Sequence, residues 1–397
     1  MAPIPSLQQT LLDAAERSQG WLGFDLFMEQ ALLHPVEGYY SRSDRASGPF
    51  GASGDFITAP QMGPWMAGAM AQAFVRLQRE SADPLCVLEL GPGTGALAAQ
   101  IMRELDAQGC LPEAYWLVEP SDYLRQVQAK EMERALEGHP RAANLLARCR
   151  WASRLAPEEV RVRGLVVMHE VLDALPVKCF EWQGPAAPVL EWGLTWHDGS
   201  QSWRWATRPA TEGDGREVQQ RAAEAEALGG WHAGHRSETA PGLSSMLSAV
   251  WDCLERGQIV VVDYGYERHE LDHPDRHGGT VAAHLAHRRL DDPEDWIQHP
   301  GSRDLTAHVD FTAVARHFER LGACLLSLKS QAAWLLDHGV LDQAQQLMFP
   351  DPTARGQPPQ SPQALHALSE LQTLLSDAAM GQRFLVLSAT KAPRDPV

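Results

Sequence analysis

The sharpest chemical signal in the chain is Glu89-Leu90-Gly91-Pro92-Gly93-Thr94-Gly95-Ala96, a glycine turn between a β-rich apolar run and a helical pattern. Glycines there let the backbone pass close to a ligand with its amides pointing at it, and the helix N-terminus behind favours negative charge. Two ligand classes fit. Gly91-x-Gly93-x-x-Ala96 satisfies the dinucleotide fingerprint in its G/A form, with Glu119 downstream as the acid for a ribose. An S-adenosylmethionine site needs the same parts in another arrangement. Its acid is Glu89 at the strand end, its Gly-x-Gly-x-Gly turn runs through Gly91, Gly93 and Gly95, and Glu119 after the second strand receives both ribose hydroxyls. Glu89 weighs toward the second class, because a carboxylate there sits awkwardly against a pyrophosphate but suits the cationic amino-acid end of a methyl donor. The bland alternative is a tight turn with no ligand.

A second constellation is His169-Glu170-Val171-Leu172-Asp173-Ala174-Leu175-Pro176, directly after the apolar run ending at Met168. Polar groups at a strand's carboxyl end fall on the ligand side of a parallel sheet. Glu170 and Asp173 could grip a cationic acceptor or take its proton; the alternative is a helix N-terminus carrying favourable acids. Asp263-Tyr264-Gly265 ends a further apolar run and reads as a ligand-side group or a simple turn. His308 near Asp310 is a weaker candidate base. His273-x-x-x-His277 has the spacing of a metal pair, but without helical neighbours or a third ligand it reads as loop histidines. The chain contains no Gly-x-Ser-x-Gly elbow and no Walker loop, so serine acyl transfer and P-loop phosphoryl transfer lose their usual signatures.

These groups need a scaffold that brings strand ends together. Leu85–Leu90 and Tyr115–Val118 read as strands, Ala96–Leu105 as a helix, and Ser121 or Asp122 as the cap of the helix through Leu124 and Val127. Leu165–Met168 and Ile259–Val262 are apolar runs of the kind found in buried parallel strands. Repeated strand–turn–helix units predict a doubly wound α/β sheet with ligands at the carboxyl ends of its strands. Before it, residues 1–82 form a helical extension with a Gly-rich loop. Residues 83–397 form the main domain, interrupted at about 185–240 by an inserted hairpin and helix region. In that insertion Trp192, Leu194 and Trp196 alternate, Asp198-Gly199 supplies a turn, and Trp203 and Trp205 alternate again. Packing against the body is the preferred reading of this tryptophan stripe over peptide binding. Glu217–Leu228 reads as a surface helix, and Leu243–Leu254 as an amphipathic helix stopped by Gly257. Asp310 caps a helix through Leu321, followed by strands near Cys324–Leu328 and Phe384–Leu387.

The 397 residues carry 34 basic and 51 acidic side chains, a net charge of −17. That balance argues against a general phosphate-backbone binder, so no nucleic-acid partner is expected. The six cysteines are never closer than 24 residues, which excludes C-x-x-C spacing. No segment approaches the roughly 20 apolar residues that cross a bilayer. With neither a signal nor a transit pattern visible, a cytoplasmic chain without a membrane partner is expected. The oligomeric state is left open, a homo-oligomer included.

The separate motifs together resemble the MidA-like class I S-adenosylmethionine-dependent methyltransferases, a family related to mitochondrial respiratory complex I assembly factors that methylate a protein arginine. The matching strings are Gly38-Tyr39-Tyr40, Gly54-Asp55-Phe56-Ile57-Thr58-Ala59-Pro60, Glu89 to Gly95, Val118-Glu119, Leu124-Arg125, Glu170 to Val177, Asp263-Tyr264-Gly265, Gly279-Thr280, Pro300-Gly301, Asp304 to Phe311, and Met380-Gly381. They span nearly the whole chain. Departures are Thr94 where the family often has Arg, Gln61 to Met66 after Pro60, and Met168-His169 where Ala-Asn is common. The resemblance implies a Rossmann-like class I methyltransferase sheet, S-adenosylmethionine as cofactor and a protein acceptor methylated on arginine. On that basis Gly91, Gly93 and Gly95 cradle the donor, Glu89 faces its amino-acid end and Glu119 holds its ribose. Glu170 and Asp173 are the first candidates for catalytic carboxylates, with Asp55 and His308 behind them. A nicotinamide-dependent oxidoreductase and a non-catalytic assembly chaperone that keeps the cofactor are the alternatives.

Overall fold

The computed structural model describes residues 4–42, 63–285, 288–349, 362–376 and 381–392. These group into two units. One comprises the described residues of Ile57–Val171, Met246–Tyr264 and Ala315–Val397; the other those of Met1–Phe56, Leu172–Ser245 and Gly265–Val314.

The first unit is built on strands β1 (Cys86–Leu90), β2 (Tyr115–Val118), β3 (Cys149–Ala152), β4 (Val162–His169), β5 (Leu254–Tyr266), β6 (Cys324–Ser330) and β7 (Phe384–Lys391). Their order across the sheet is β6-β7-β5-β4-β1-β2-β3. The five strands from β5 to β3 run parallel, and β7 is antiparallel to both its neighbours. This is the doubly wound, Rossmann-like arrangement expected from the strand–turn–helix repeats. The chain order reverses between β1 and β4, and such a switch point opens a crevice at the carboxyl ends of the strands. Val87, Leu165, Val167, Val260, Val262 and Val386 are buried together under helix α1 (Trp65–Arg79), whose Trp65, Met66, Met70 and Phe74 are fully enclosed. Apolar residues on successive positions of the inner strands leave no solvent face, which is why these runs read as continuous rather than alternating. Helix α2 (Ala96–Ala107) follows β1. Helix α3 (Asp122–Ala135) follows β2 and is capped by Ser121, whose Oγ accepts from Leu124 N at 3.2 Å.

The helix expected to run to Leu254 ends at Cys253, and Leu254 already belongs to β5. Gly257 is therefore not a helix stop. It lies in the strand at φ +140°, where a Cβ would fall 1.9 Å from the Gly164 carbonyl oxygen, so close strand approach is what requires glycine there.

In the second unit Leu190–His197 and Ser202–Pro209 form the expected hairpin, with Trp196 opposite Trp203. Along the other edge of Leu190–His197 lie Lys178–Trp182, paired at Leu190–Trp192 and leading on to His235–Thr239, and Trp21–Gly23, paired at Gly193–Thr195. The N-terminal segment is thus joined to the insertion by backbone pairing. The tryptophan stripe is packed: Trp205 lies 5.2 Å from the Phe24 ring and Trp203 lies 6.5 Å from Phe27, centroid to centroid. The surface helix begins at Glu212, earlier than the apolar spacing indicated, because Thr211 Oγ1 caps it by accepting from Asp214 N. Among the described residues no helix is long and apolar enough to cross a membrane.

Candidate functional site

Strand register decides which residues share the ligand edge of the sheet. Leu90 pairs with Val118 and with Met168, and Val262 pairs with His169. Gly91, Glu119 and Glu170 consequently leave β1, β2 and β4 at one level, beside Asp263 within β5. No spacing in the chain specifies this alignment, because the segments lie up to 172 positions apart.

The glycine turn leaves β1 with Gly91, Gly93 and Gly95 at φ +56°, +54° and +84°. All three occupy the left-handed region that side chains avoid. Gly95 is the N-cap of α2, so the free amides of that helix start directly behind the turn. A Cβ on Gly91 would lie 3.1 Å from Val171 Cγ2, and one on Gly95 would lie 3.2 Å from Met132 Cγ. The glycine positions present backbone without a side chain, and a buried carboxylate stands beside the turn at the end of β1 and of β2. These features fit a nucleoside cofactor with a cationic tail.

Glu89 is 2% exposed, and its Oε2 accepts from Tyr115 Oη at 2.7 Å. Burial pushes its carboxyl up to about 7, opposed by that hydrogen bond. Glu119 is 5% exposed, with Oε1 accepting from Ser121 N at 2.8 Å and Oε2 from Gln128 Nε2 at 3.3 Å. Burial raises it to about 7 as well, against the Ser121 and Gln128 donors and the Arg125 charge. Two acids whose folded values stand above their unfolded ones stabilise the chain below the unfolded values, and that contribution is lost as pH rises through the folded ones. The ligand-free protein should therefore lose stability as pH rises from about 4.5 to 8, by about 3 kcal/mol for each acid in all and by roughly 1 kcal/mol each between pH 6 and 8. A melting temperature of the free protein that rises steadily over that interval would contradict the raised values.

Glu170 follows β4 in a left-handed conformation, φ +52°, rare for a residue with a side chain. Its N–H donates to Val262 O at 2.9 Å. The next amide, Val171 N, donates to Asp263 Oδ2 at 3.2 Å, while Asp263 Oδ1 accepts from Tyr264 N. Asp263 is wholly buried, so this acid pins the backbone on which Glu170 is carried. Strained backbone held by such contacts is characteristic of functional positions. His169 Nδ1 lies 3.5 Å from Glu170 Oε1, and burial lowers the imidazole to about 4, leaving it neutral beside the carboxylate at physiological pH.

Asp173 and His308 belong to the second unit. The Asp173 carbonyl accepts from Ala307 N at 2.9 Å, and His308 N donates to Thr280 Oγ1 at 3.2 Å. Tyr40 Oη donates to Asp304 Oδ1 at 2.9 Å, and burial, then the charges of Asp304 and Asp173, drive its phenol well above the usual value. Asp55 lies outside the described residues. His273, half of the suspected metal pair, accepts from Asp275 N through Nδ1 and caps a short 3-10 turn.

Sequence reasoning missed Tyr115, Gln128, Trp151, Tyr40 and Asp304. Tyr40 and Asp304 stood inside the motif strings without an assigned role. Gln128 had no signal at all, since a glutamine on a helix reads as a solvated position.

The family model of S-adenosyl-L-methionine-dependent methyltransferases matches residues 66–327. The mitochondrial protein arginine methyltransferase NDUFAF7 homolog of Drosophila melanogaster is 29% identical over 333 residues, covering 75% of this chain and 66% of that protein. The mitochondrial protein arginine methyltransferase NDUFAF7 of Danio rerio is 26% identical, covering 93% of this chain and 83% of the relative. A crystal structure from Burkholderia thailandensis, bound to S-adenosyl-homocysteine, matches at 30% identity with a TM-score of 0.83, covering 100% of this chain and 97% of that one. The expectation of a cytoplasmic chain is corrected by these relatives: those from Drosophila, Danio rerio, Mus musculus and Bos taurus are all mitochondrial by name.

Proposed function

Because the chain belongs to the S-adenosyl-L-methionine-dependent methyltransferase family matched over residues 66–327, with that molecule as its cofactor, we propose that it N-methylates arginine in a protein acceptor. The observation that carries this reading is Glu170, a carboxylate held in a left-handed conformation at the same sheet edge as the glycine turn and Glu119. The arginine acceptor is taken from the names of the Drosophila and Danio rerio relatives.

The cofactor supplies a methyl group on a cationic sulfur. The chain must bring a second cation to it, because a guanidinium is protonated in water. Glu170 offsets that charge and orients the attacking nitrogen, and most of the rate comes from such positioning. As the N–C bond forms, the C–S bond breaks and its electron pair returns to sulfur; the guanidinium proton passes to the Glu170 carboxylate and on to water. Gly91, Gly93 and Gly95 present the backbone to the donor, Glu119 accepts from its ribose hydroxyls, and Glu89 faces its amino-acid end directly or through water. Asp173, His308 and Asp55 are the further candidates for acceptor binding and proton transfer.

The test is incubation of the purified chain with methyl-labelled donor and a mitochondrial protein extract, followed by amino-acid analysis of the labelled product. Label in methylarginine supports the reading. Label in another residue overturns the acceptor, and tight donor binding with no labelled protein leaves a cofactor-binding assembly protein in its place.

A further inference from the structure

Gln128 is fully buried on α3, and every polar atom of its side chain is engaged. Nε2 donates to Gly93 O at 3.0 Å and to Glu119 Oε2 at 3.3 Å, while Oε1 accepts from Trp151 Nε1 at 3.0 Å. An indole N–H only donates, and a main-chain carbonyl only accepts, so the amide has one permitted orientation. The glycine turn also rests on the same residue: a Cβ on Gly95 would come within 3.3 Å of Gln128 Cα. One side chain therefore touches the turn after β1, the acid after β2 and a tryptophan of β3.

We infer that Gln128 is a positioning residue for the cofactor, tying the Gly93 carbonyl to the Glu119 carboxylate so that turn and ribose-binding acid stand in fixed register before the donor arrives. The inference rests on Glu119 being the ribose acid. No other side chain of this size does the same work. Glutamate would set a carboxylate against two acceptors, asparagine is one methylene short, and methionine fills the space without donating. Buried amides satisfied on every atom are stiff, and stiffness is what a ligand would otherwise supply on binding.

A second consequence concerns protonation. Glu119 faces the Ser121 amide at the start of α3, the Gln128 amide and the Arg125 charge on α3, and its own N–H donates to Ala152 O of β3. Ribose hydroxyls donate to the ionised acid, so donor affinity falls as pH drops below the acid's value of about 7. Removing the Gln128 donor takes away one of the groups that favour ionisation. The pH at which binding is half-developed must then rise.

The experiment is calorimetric titration of the whole chain with S-adenosylhomocysteine and its 2′,3′-dideoxyribose analogue between pH 6 and 9. Gln128→Met should bind S-adenosylhomocysteine about tenfold more weakly at pH 7. It should also lose much of the preference over the dideoxy analogue and shift the pH midpoint upward. Gln128→Glu, the same shape with an added charge, should shift the midpoint further. Trp151→Phe keeps a ring on a half-buried strand position and frees the amide to turn, so it should move both readouts in the same direction by a smaller factor. That variant carries the test if Gln128 variants do not fold. A residue serving only to hold the core would weaken both ligands equally and leave the midpoint in place, which overturns the inference. Glu119→Gln separates the two claims. If it binds like wild type with undiminished preference, the ribose assignment fails; if it loses the preference while Gln128 and Trp151 variants keep it, Gln128 alone is wrongly assigned.

Discussion

Replacing Glu119 by alanine is expected to weaken S-adenosylmethionine binding by roughly two to four orders of magnitude at pH 8, while leaving the ligand-free protein at least as stable there. The affinity loss follows from two ribose hydroxyls losing an ionised acceptor, each such bond contributing roughly 1.5–3 kcal/mol. The stability effect has the opposite sign. Burial has lifted Glu119 to about 7, so at pH 8 the folded chain carries an ionised group it holds at a cost. Removing that group relieves the cost, against the loss of its contacts with Ser121 and Gln128. Calorimetric titration and thermal unfolding on one preparation measure both. Unchanged donor affinity removes Glu119 from the ribose site, whereas a collapse of stability together with affinity makes it a structural acid.

Glu170→Gln should do the reverse. Donor affinity stays within about twofold, and methyl transfer in a single turnover slows by roughly 10²–10⁴-fold, the usual range for removing a group that carries a proton in the transition state. Glutamine keeps the shape and places no new burden on the left-handed backbone, so the Val262 and Asp263 contacts that hold the segment are preserved. What disappears is the negative charge. Nearby His169 cannot replace it or cancel it, since burial keeps that imidazole neutral with a value of about 4. A variant that transfers methyl groups at the wild-type rate would return the role to Asp173, His308 or Asp55. A variant that loses donor binding would move Glu170 from the acceptor to the cofactor.

The nicotinamide alternative shows what a motif alone settles. Gly91-x-Gly93-x-x-Ala96 serves two cofactors equally well on paper, and the fold itself is common to both. Glu89 tipped the balance for a chemical reason, and the family match and the structural relative carrying S-adenosyl-homocysteine agree with it. Localisation went the other way. The sequence alone points to a cytoplasmic chain, whereas the relatives from Drosophila melanogaster and Danio rerio are mitochondrial by name.

By itself the sequence determined the class of sheet, the helix starts at Ser121 and Asp310, the hairpin at Asp198-Gly199, and the glycine turn with its two acids. Each of these depends on neighbours within a few positions or on a short apolar run, so the chain states them locally. Tertiary structure decided the rest. The antiparallel entry of β7, the common level of Gly91, Glu119 and Glu170, the N-terminal strand at Trp21–Gly23 joining the insertion, and the amide of Gln128 between Gly93 and Glu119 all join residues distant in the chain. Strand register is set by which apolar surfaces can be buried together, and a buried amide is recognised only by the donors and acceptors that close around it. Both are properties of the packed molecule that no spacing along the chain expresses.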